Sequence, residues 1–562
     1  MRAAPDMVNA ARSRLSGLRD ALATNLHSRD LRRAQLAFGA AWTSEWALTV
    51  GLCIVAFRDG GAAAVGLVAL LRLAPSAVAG PFLAAIADRV RRERVMAAIG
   101  FVRGASIGTM AVLLAVAAPT AFVYALAVVS TIAGTPYRAA HSALLPSLCM
   151  TPEQLTSANA VRGMLDSLST LVGPLIAAVL LEVSTPAAVF AAAAVASVWS
   201  AMLVLHLDYE APPQPAAARR STILADVKEG FRALATHRDV ALLIGLAGAQ
   251  TFTRGCLNVF TVVMAIELLD MGEAGVGILS AAVGAGAVLG SLGASLLVGS
   301  RRLGAWFGVS IALWGLPLVL IGVIPEQAAA LALLAVIGVA NAVLDVSGFS
   351  LIARLAPDEV LARVFGMFEA LVALAIGLGS ILTPLVIDAV GVRGALVVLG
   401  LVCPALAALS WLRLRKIDGS MQARDDELVH LRAVPMLQSL PVPVMDHLSR
   451  YLTRAHVPAG QAVFEQGDVG DRFYVIAAGE ADVVGDGRGI RTLRSGDSFG
   501  EIALLRDVRR TTEVRARAAL DLYTLERDVF VHAVSGYRPA SAAADTAVVR
   551  MLETFRPRGV GV

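Results

Sequence analysis

Long apolar stretches separated by short polar breaks fill the chain from Gln35 to Leu414. Each stretch is about 20 residues long, which is the length that a helix needs to cross a hydrocarbon core of about 30 Å. About twelve such stretches can be distinguished by their hydropathy. The predicted spans are residues 35–57, 62–86, 95–117, 120–143, 158–182, 186–206, 240–267, 273–298, 303–324, 328–353, 362–388 and 394–413. This pattern predicts an all-α polytopic membrane protein.

The longest polar break, residues 207–239, divides the spans into two sets of six. It opens with a proline-rich segment and closes with an amphipathic stretch, ILADVKEGFRALATH. Two six-helix bundles, residues 35–206 and 240–414, are therefore predicted, which is an organisation typical of transporters.

The polar breaks alternate in charge. The arginine-rich ones are the N-terminal arm of residues 1–34 and residues 88–94, 219–238, 301–302, 354–363 and 413–416. The intervening breaks carry mainly Glu267, Asp270, Glu273 and Glu326. Short loops rich in Lys and Arg stay in the cytosol during insertion. We therefore expect a multi-pass protein of the cell (plasma or inner) membrane with both termini in the cytoplasm.

The pattern changes after the last span. A polar linker, residues 415–426, leads into residues 427–562, where apolar positions alternate with polar ones and glycines interrupt the alternation. This predicts a small α+β domain built on an antiparallel β-roll. A helical lead-in over 437–452 and a helical tail over 540–555 are expected to flank the roll.

Composition agrees with a membrane protein, because 57% of the residues are hydrophobic and only 16% are charged. Membrane lipid is therefore an expected partner. With 48 basic and 44 acidic residues, the chain has no strong field that would favour nucleic acid as a partner. The cysteines fall in or beside apolar segments without metal-ligand spacing, so they are expected to pack rather than to bind a metal: Cys53, Cys149, Cys256 and Cys403.

The break after the second span reads GPFLAAIADRVRRERV, and it carries Asp88, Arg89, Arg92 and Arg94. It resembles the cytosolic loop motif between the second and third spans of the major facilitator superfamily. The resemblance implies that Asp88 pairs with basic residues and a helix terminus and so acts in gating. The alternative is that these arginines only set the topology.

Three further segments, TPYRAAHSALLPSL, Gly173-Pro174 and PDEVLARVFGMFEAL, resemble the drug and siderophore exporter branch of that family. The resemblance implies efflux of a small molecule, and it leaves the substrate open.

Ionisable side chains inside the predicted spans are expensive and need partners or water. They are Glu45, Arg72, Arg103, Arg138, Arg162, Asp166, Arg254, Asp345 and Glu369. The carboxylates Glu45, Asp166, Asp345 and Glu369 are candidates for carrying a coupling proton. The alternative for each is a static ion pair with a nearby arginine.

In the C-terminal domain, the segment FGEIALLRDVRRTT resembles the phosphate-binding cassette of cyclic-nucleotide-binding domains. In physical terms, Gly500 allows a close turn, the following short helix directs amides at an anion, and Arg510 supplies the countercharge. Glu501 can accept a hydrogen bond from the ribose hydroxyl. The expected site residues are Phe499, Gly500, Glu501, Ile502, Ala503, Arg510, Thr511 and Thr512.

Two features of this cassette bear on the ligand. Arg509 stands where the family usually has proline, and we expect it to face solvent while Arg510 points inward. Thr511 occupies a position where alanine commonly accompanies cAMP preference and threonine cGMP preference. The choice between the two nucleotides therefore stays open.

We therefore expect a proton-coupled exporter of a small molecule that is regulated allosterically by cAMP or cGMP. The nucleotide would be a regulatory ligand rather than a cofactor, and no catalytic or metal-binding residues are implied. A membrane-anchored receptor without transport, or a transporter whose β-roll has lost its ligand, remains an alternative. A cyclic-nucleotide-gated channel is disfavoured, because the chain has neither an arginine at every third residue of a span nor a TVGYG-like filter.

Overall fold

The fold is given by a computed structural model, which describes residues 28–87, 90–149, 151–205, 207, 238–294, 302–355, 358–438, 440, 444–445, 448–449 and 451–535. Most of the N-terminal arm, almost all of the central break and the predicted helical tail lie outside these residues. The chain divides into two compact units, Met1–Arg415 and Lys416–Val562.

Ten stretches of the described helices are long and apolar enough to cross a membrane. Two of them, Arg29–Gly80 and Leu371–Gln422, contain 52 residues each. A straight helix of that length would measure about 78 Å, more than twice the thickness of the hydrocarbon core. Glycines with non-helical backbone angles interrupt each stretch, at Gly60 and Gly61 in the first and at Gly391 in the second. Each therefore supplies two spans, which gives twelve and confirms the polytopic helical fold.

The helices form two consecutive sets. The first contains α1 (Arg29–Ala87), α2 (Arg92–Ala115), α3 (Thr120–Gly134), α4 (Tyr137–Leu148), α5 (Pro152–Val183) and α6 (Pro186–Leu205). The second contains α7 (Arg238–Val263), a π-helix (Met264–Leu268), α8 (Gly272–Ala294), α9 (Leu303–Val323), α10 (Gln327–Leu355), α11 (Asp358–Gly400) and α12 (Val402–Ala433).

Close helix packing joins the two bundles. A Cβ atom added at Gly66 of α1 would lie 2.3 Å from the carbonyl oxygen of Ser380 in α11. A Cβ atom added at Gly284 of α8 would lie 2.4 Å from the carbonyl oxygen of Thr170 in α5. Only glycine permits backbones to approach so closely, and such small-residue contacts are typical of helices packed in lipid. The pairs α1–α11 and α5–α8 therefore hold the bundles together.

The C-terminal unit contains an antiparallel β-roll, as predicted. Its strands are β1 (Thr453–Val457), β2 (Ala462–Phe464), β3 (Arg472–Ala478), β4 (Glu480–Gly485), β5 (Arg488–Arg494), β6 (Ser498–Phe499), β7 (Glu513–Ala516) and β8 (Leu520–Glu526). They form two four-stranded sheets, in the orders β1-β8-β3-β6 and β2-β7-β4-β5. Helix α13 (Glu501–Leu505) lies between β6 and β7, and α14 (Arg527–Ser535) follows β8.

The segment predicted as a polar linker, residues 415–426, is helical, because α12 continues through it to Ala433. Half of its twelve residues are good helix formers and none is proline, so its polarity does not interrupt the helix. Within the expected helical lead-in, the described residues 444, 445, 448 and 449 are helical, and turns precede them.

Candidate functional sites

A pocket in the β-roll collects the residues of the cassette. We call it the C-terminal pocket. It is lined by Phe464, Val483, Ile490, Arg491, Phe499, Gly500, Glu501, Ile502, Ala503, Arg510, Thr511, Thr512 and Val514. All eight residues expected from the cassette therefore line one pocket, together with apolar side chains from strands on the facing sheet.

Arg510 is the buried cation of the pocket, and its side chain is only 1% exposed. Its guanidinium donates hydrogen bonds to the carbonyl oxygens of Gly500 at 3.0 Å and Arg472 at 2.8 Å. Its Nε atom has no hydrogen-bond partner in the described part of the chain. The guanidinium carbon lies 4.2 Å from the centroid of the Phe464 ring, a distance at which cation–π attraction also holds it. Burial lowers the pKa of Arg510, and Tyr474 and Asp471 oppose that shift.

Glu501 is the buried carboxylate of the same pocket. It is 2% exposed, and its Oε2 atom has no hydrogen-bond partner among the described residues. Burial raises the pKa of this carboxyl above its usual value of 4.5, while Arg491 and Arg510 act in the opposite direction. An unsatisfied buried acceptor costs free energy that a donated hydrogen bond recovers. Glu501 can thus accept a hydrogen bond from a hydroxyl group of a ligand.

The backbone at Gly500 adopts φ of 93°, in the left-handed region that favours glycine. A Cβ atom there would lie 2.7 Å from Nη1 of Arg510. Glycine at this position therefore allows the turn into α13 and the close approach of the arginine.

The two neighbouring arginines differ in placement. Arg509 is exposed and donates a hydrogen bond to the carbonyl oxygen of Gly467 at 2.8 Å, whereas Arg510 is buried. Thr512 is buried and Thr511 is exposed, although both line the pocket.

Sequence reasoning missed the wall of the pocket opposite the cassette. Phe464, Val483 and Ile490 lie on β2, β4 and β5, more than eight residues before the cassette, and reach it only through strand pairing. Tyr474, whose ring stacks on Phe499 at 5.0 Å, was missed for the same reason. Their one signal was that apolar residues alternate along the predicted strands.

A second set of charged side chains lies inside the first bundle. Glu45 pairs with Arg72 at 3.1 Å and with Arg103. Arg72 also donates to the hydroxyl of Thr131 at 3.0 Å. Arg103 is 4% exposed, and its Nε atom has no partner within the described residues.

A third set of charged side chains is contributed by helices of both bundles. Arg138 pairs with Asp166 at 2.5 Å, and its guanidinium lies 5.4 Å from the ring of Trp42. Arg254 of α7 lies 5.7 Å from the ring of Trp46 in α1, so it meets the opposite bundle. Asp345 of α10 accepts a hydrogen bond from Asn341 at 3.1 Å.

Part of the predicted gating motif is described. Arg92 is half-buried and Arg94 is exposed near the start of α2. Asp88 and Arg89 lie outside the described residues, as does the side chain of Glu369.

The sequence profile of the Major Facilitator Superfamily matches residues 36–340 and 304–457. These matches together span more than half of the chain, which therefore belongs to the major facilitator superfamily. The crystal structure of a mutant of the nucleoside transporter NupG aligns with a TM-score of 0.57, over 69% of this chain and 99% of that protein. At 15% identity, this likeness shows a shared fold.

The profile of the cyclic nucleotide-binding domain matches residues 454–537. The chain is also similar to cAMP-dependent protein kinase regulatory subunits. That of Yarrowia lipolytica is 39% identical over 142 residues, which are 25% of this chain and 38% of the relative. That of Schizosaccharomyces pombe is 40% identical over 101 residues, 18% of this chain and 24% of the relative. The chain thus spans less than half the length of either, and it combines a transporter domain with a cyclic nucleotide-binding domain.

Proposed function

We propose that this protein is a secondary active transporter whose transport is regulated by a cyclic nucleotide bound in the C-terminal pocket. The observation that carries the proposal is that two buried groups of opposite charge lie in that pocket. Among the described residues, Nε of Arg510 and Oε2 of Glu501 have no hydrogen-bond partner, and both positions lie within the cyclic nucleotide-binding profile. A cyclic nucleotide supplies the complement to both groups.

The recognition chemistry follows from the two charges. The exocyclic oxygens of the cyclic phosphate would accept hydrogen bonds from the guanidinium of Arg510. The ribose 2′-hydroxyl would donate to the carboxylate of Glu501. The base would lie against the apolar wall formed by Val483 and Ile490. The phosphate and the ribose would therefore make directed contacts, and the base would make an apolar one.

We propose cAMP as the first ligand to test. The relatives with 39% and 40% identity are named as cAMP-dependent kinase subunits, which supports this choice. The alternative is cGMP, because the hydroxyl of Thr511 would accept a hydrogen bond from the amino group of guanine. A comparison of the two nucleotides in one titration separates these alternatives.

The transport cycle is proposed to be driven by protons and to move substrate outward, across the cell membrane, with both termini in the cytoplasm. Among the candidate carboxylates, Glu45 and Asp166 form ion pairs with arginines, which supports a static role for them. Asp345 forms no ion pair among the described residues and makes a hydrogen bond only to an amide. Asp345 is therefore our first candidate for the coupling proton.

Regulation requires that the nucleotide bind more tightly to one state of the transport cycle than to another, because a ligand shifts an equilibrium only by its differential affinity.

The proposed gating role of Asp88 belongs to the same cycle. Asp88→Asn is expected to impair transport while leaving expression and folding intact.

Calorimetric titration of the full chain in detergent with cAMP and with cGMP tests the proposed site. Arg510→Ala is expected to lower affinity at least about a hundredfold, because it removes a buried charge-assisted contact. Glu501→Ala should also weaken binding. Arg509→Ala is the matched control and should change affinity little, since its side chain is exposed.

The order of these effects decides the result. Loss of binding in Arg509→Ala but not in Arg510→Ala would reject the assignment of Arg510. Absence of binding by the unmodified chain at millimolar nucleotide would mean that the β-roll has lost its ligand.

A further inference from the structure

Arginines outnumber carboxylates among the described ionisable side chains inside the spans. Glu45 is matched by two arginines, Arg72 and Arg103. A second set, which we call the interbundle cluster, contains Arg138, Arg162, Asp166, Arg254 and Asp345, which interact electrostatically. Each set carries one positive charge more than its carboxylates can balance.

An excess charge within a membrane protein is costly unless an opposite charge or water reaches it. The cluster is built from both bundles, since Arg138, Arg162 and Asp166 belong to α4 and α5 while Arg254 and Asp345 belong to α7 and α10. A ligand between the bundles would therefore meet this excess charge. The ligand that offsets it is an anion.

Among the arginines of the cluster, Arg254 makes the fewest polar contacts with the described residues of the protein. It makes no hydrogen bond or ion pair in the described part of the structure, whereas Arg138 pairs with Asp166 and Arg162 donates to Ser142. Its guanidinium faces Trp46, one helical turn from Trp42, which in turn faces Arg138. One side of α1 thus carries two tryptophans, each faced by an arginine from another helix. Such a surface suits a molecule with a negative group and an apolar or aromatic body.

We propose that the transported substrate is an organic anion, whose negative group binds Arg254 and whose apolar body lies along Trp42 and Trp46. This inference rests on the proposed transport function and names the chemical class of its substrate. Because Arg254 and Trp46 come from opposite bundles, such a substrate would contact both halves of the transporter at once. Contact with both halves is what lets a substrate influence their relative movement.

The test uses the purified full chain and a small-molecule extract of the cells that express it. After incubation and washing, the retained molecules are identified by mass spectrometry. We expect retained anions that Arg254→Gln reduces at least about tenfold, because a charge-assisted contact is lost. Arg254→Lys, which keeps the charge, should retain more than Arg254→Gln does. The control Arg413→Gln removes an exposed ion pair with Asp239 and should retain as much as the unmodified chain.

Anions held by the C-terminal pocket are recognised separately, because Arg510→Ala releases them and Arg254→Gln does not. Each variant is also titrated with cAMP, and its monodispersity reports folding. Failure of the proposed nucleotide site would appear as missing cAMP binding. If cAMP binding is intact but the chain retains only neutral or cationic molecules, or nothing that Arg254→Gln releases, the anion assignment is overturned.

Discussion

Glu501 is expected to make nucleotide binding sensitive to pH. Burial raises the pKa of its carboxyl, so at a pH above its usual value of 4.5 the folded protein holds more proton here than the unfolded chain does. This group therefore makes the free energy of unfolding fall as pH rises from 4.5 through the raised pKa. Nucleotide affinity is expected to change in the opposite direction and to rise with pH. The reason is that only the ionised carboxylate has both oxygens free to accept a hydrogen bond from the ribose hydroxyl.

We predict that cAMP affinity of the full chain falls as pH is lowered from neutral into the acid range, because burial raises the pKa of Glu501 above its usual value. Calorimetric titrations across that range measure the change. Glu501→Gln should bind more weakly at neutral pH and lose most of the pH dependence. An equal pH dependence in the variant would assign the effect to another group.

Gly500 combines a left-handed backbone with contact to Arg510, and the two effects can be separated. Gly500→Ala is expected to destabilise the C-terminal domain by about 1–2 kcal/mol through backbone strain and to reduce cAMP affinity by displacing the guanidinium. Gly487→Ala is the matched control, because Gly487 also has a positive φ of 75° but nothing within 4 Å of its added Cβ atom. It should show the strain in thermal unfolding while keeping its cAMP affinity. Equal affinity losses in both would refute the contact to Arg510.

At the scale of helices, one ion pair joins the bundles at the end of the first span. Arg58 of α1 donates two hydrogen bonds to the carboxylate of Glu273 in α8, at 2.6 and 2.7 Å. Alternating access requires such interbundle contacts to break and reform. The pair is half-exposed, so its free-energy contribution to folding is small.

We predict that Arg58→Glu lowers transport by placing two carboxylates against each other, and that the double variant Arg58→Glu with Glu273→Arg restores much of it. Transport rates at matched expression measure both. Rates that fall further in the double variant would mean that the side chains act independently of each other.

The carboxylate on α10 supplies the test of proton coupling. Asp345→Asn should keep the fold and remove most transport driven by a pH gradient, while exchange transport without a gradient continues. Asp166→Asn serves as comparison, because its partner Arg138 would lose its ion pair. If all neutral variants of Glu45, Asp166, Asp345 and Glu369 retained pH-driven transport, proton coupling would be rejected.

For the whole molecule, local patterns in the sequence predicted the features that depend only on residues close together in the chain, namely the spans and the cassette. Hydropathy located twelve spans, including the breaks at Gly60 and Gly391, because each span must satisfy its own backbone hydrogen bonds. The cassette was recognisable because its pocket residues fall in two short runs, Phe499–Ala503 and Arg510–Thr512, within one segment of the chain.

Long-range placement could not be predicted. The sequence does not fix the rotation of each helix, so the approach of Arg254 to Trp46 was invisible. The approach of Phe464 to Arg510 depends on the pairing of β2 with β7 across the sheet, which alternation alone does not determine. Helix α12 extends through the predicted linker, because a change to polar residues without a proline does not by itself end a helix.

The central claim is that a cyclic nucleotide in the C-terminal pocket shifts the equilibrium of the transporter, and a distance measurement tests it without knowledge of the substrate. Spin labels are attached at exposed Ala63 and Glu267, on α1 and on the π-helix after α7, after the four native cysteines are replaced by alanine. We predict that saturating cAMP changes the populations in the distance distribution, and that Arg510→Ala abolishes this response while Arg509→Ala preserves it. An unchanged distribution in a chain shown by calorimetry to bind cAMP would contradict the account.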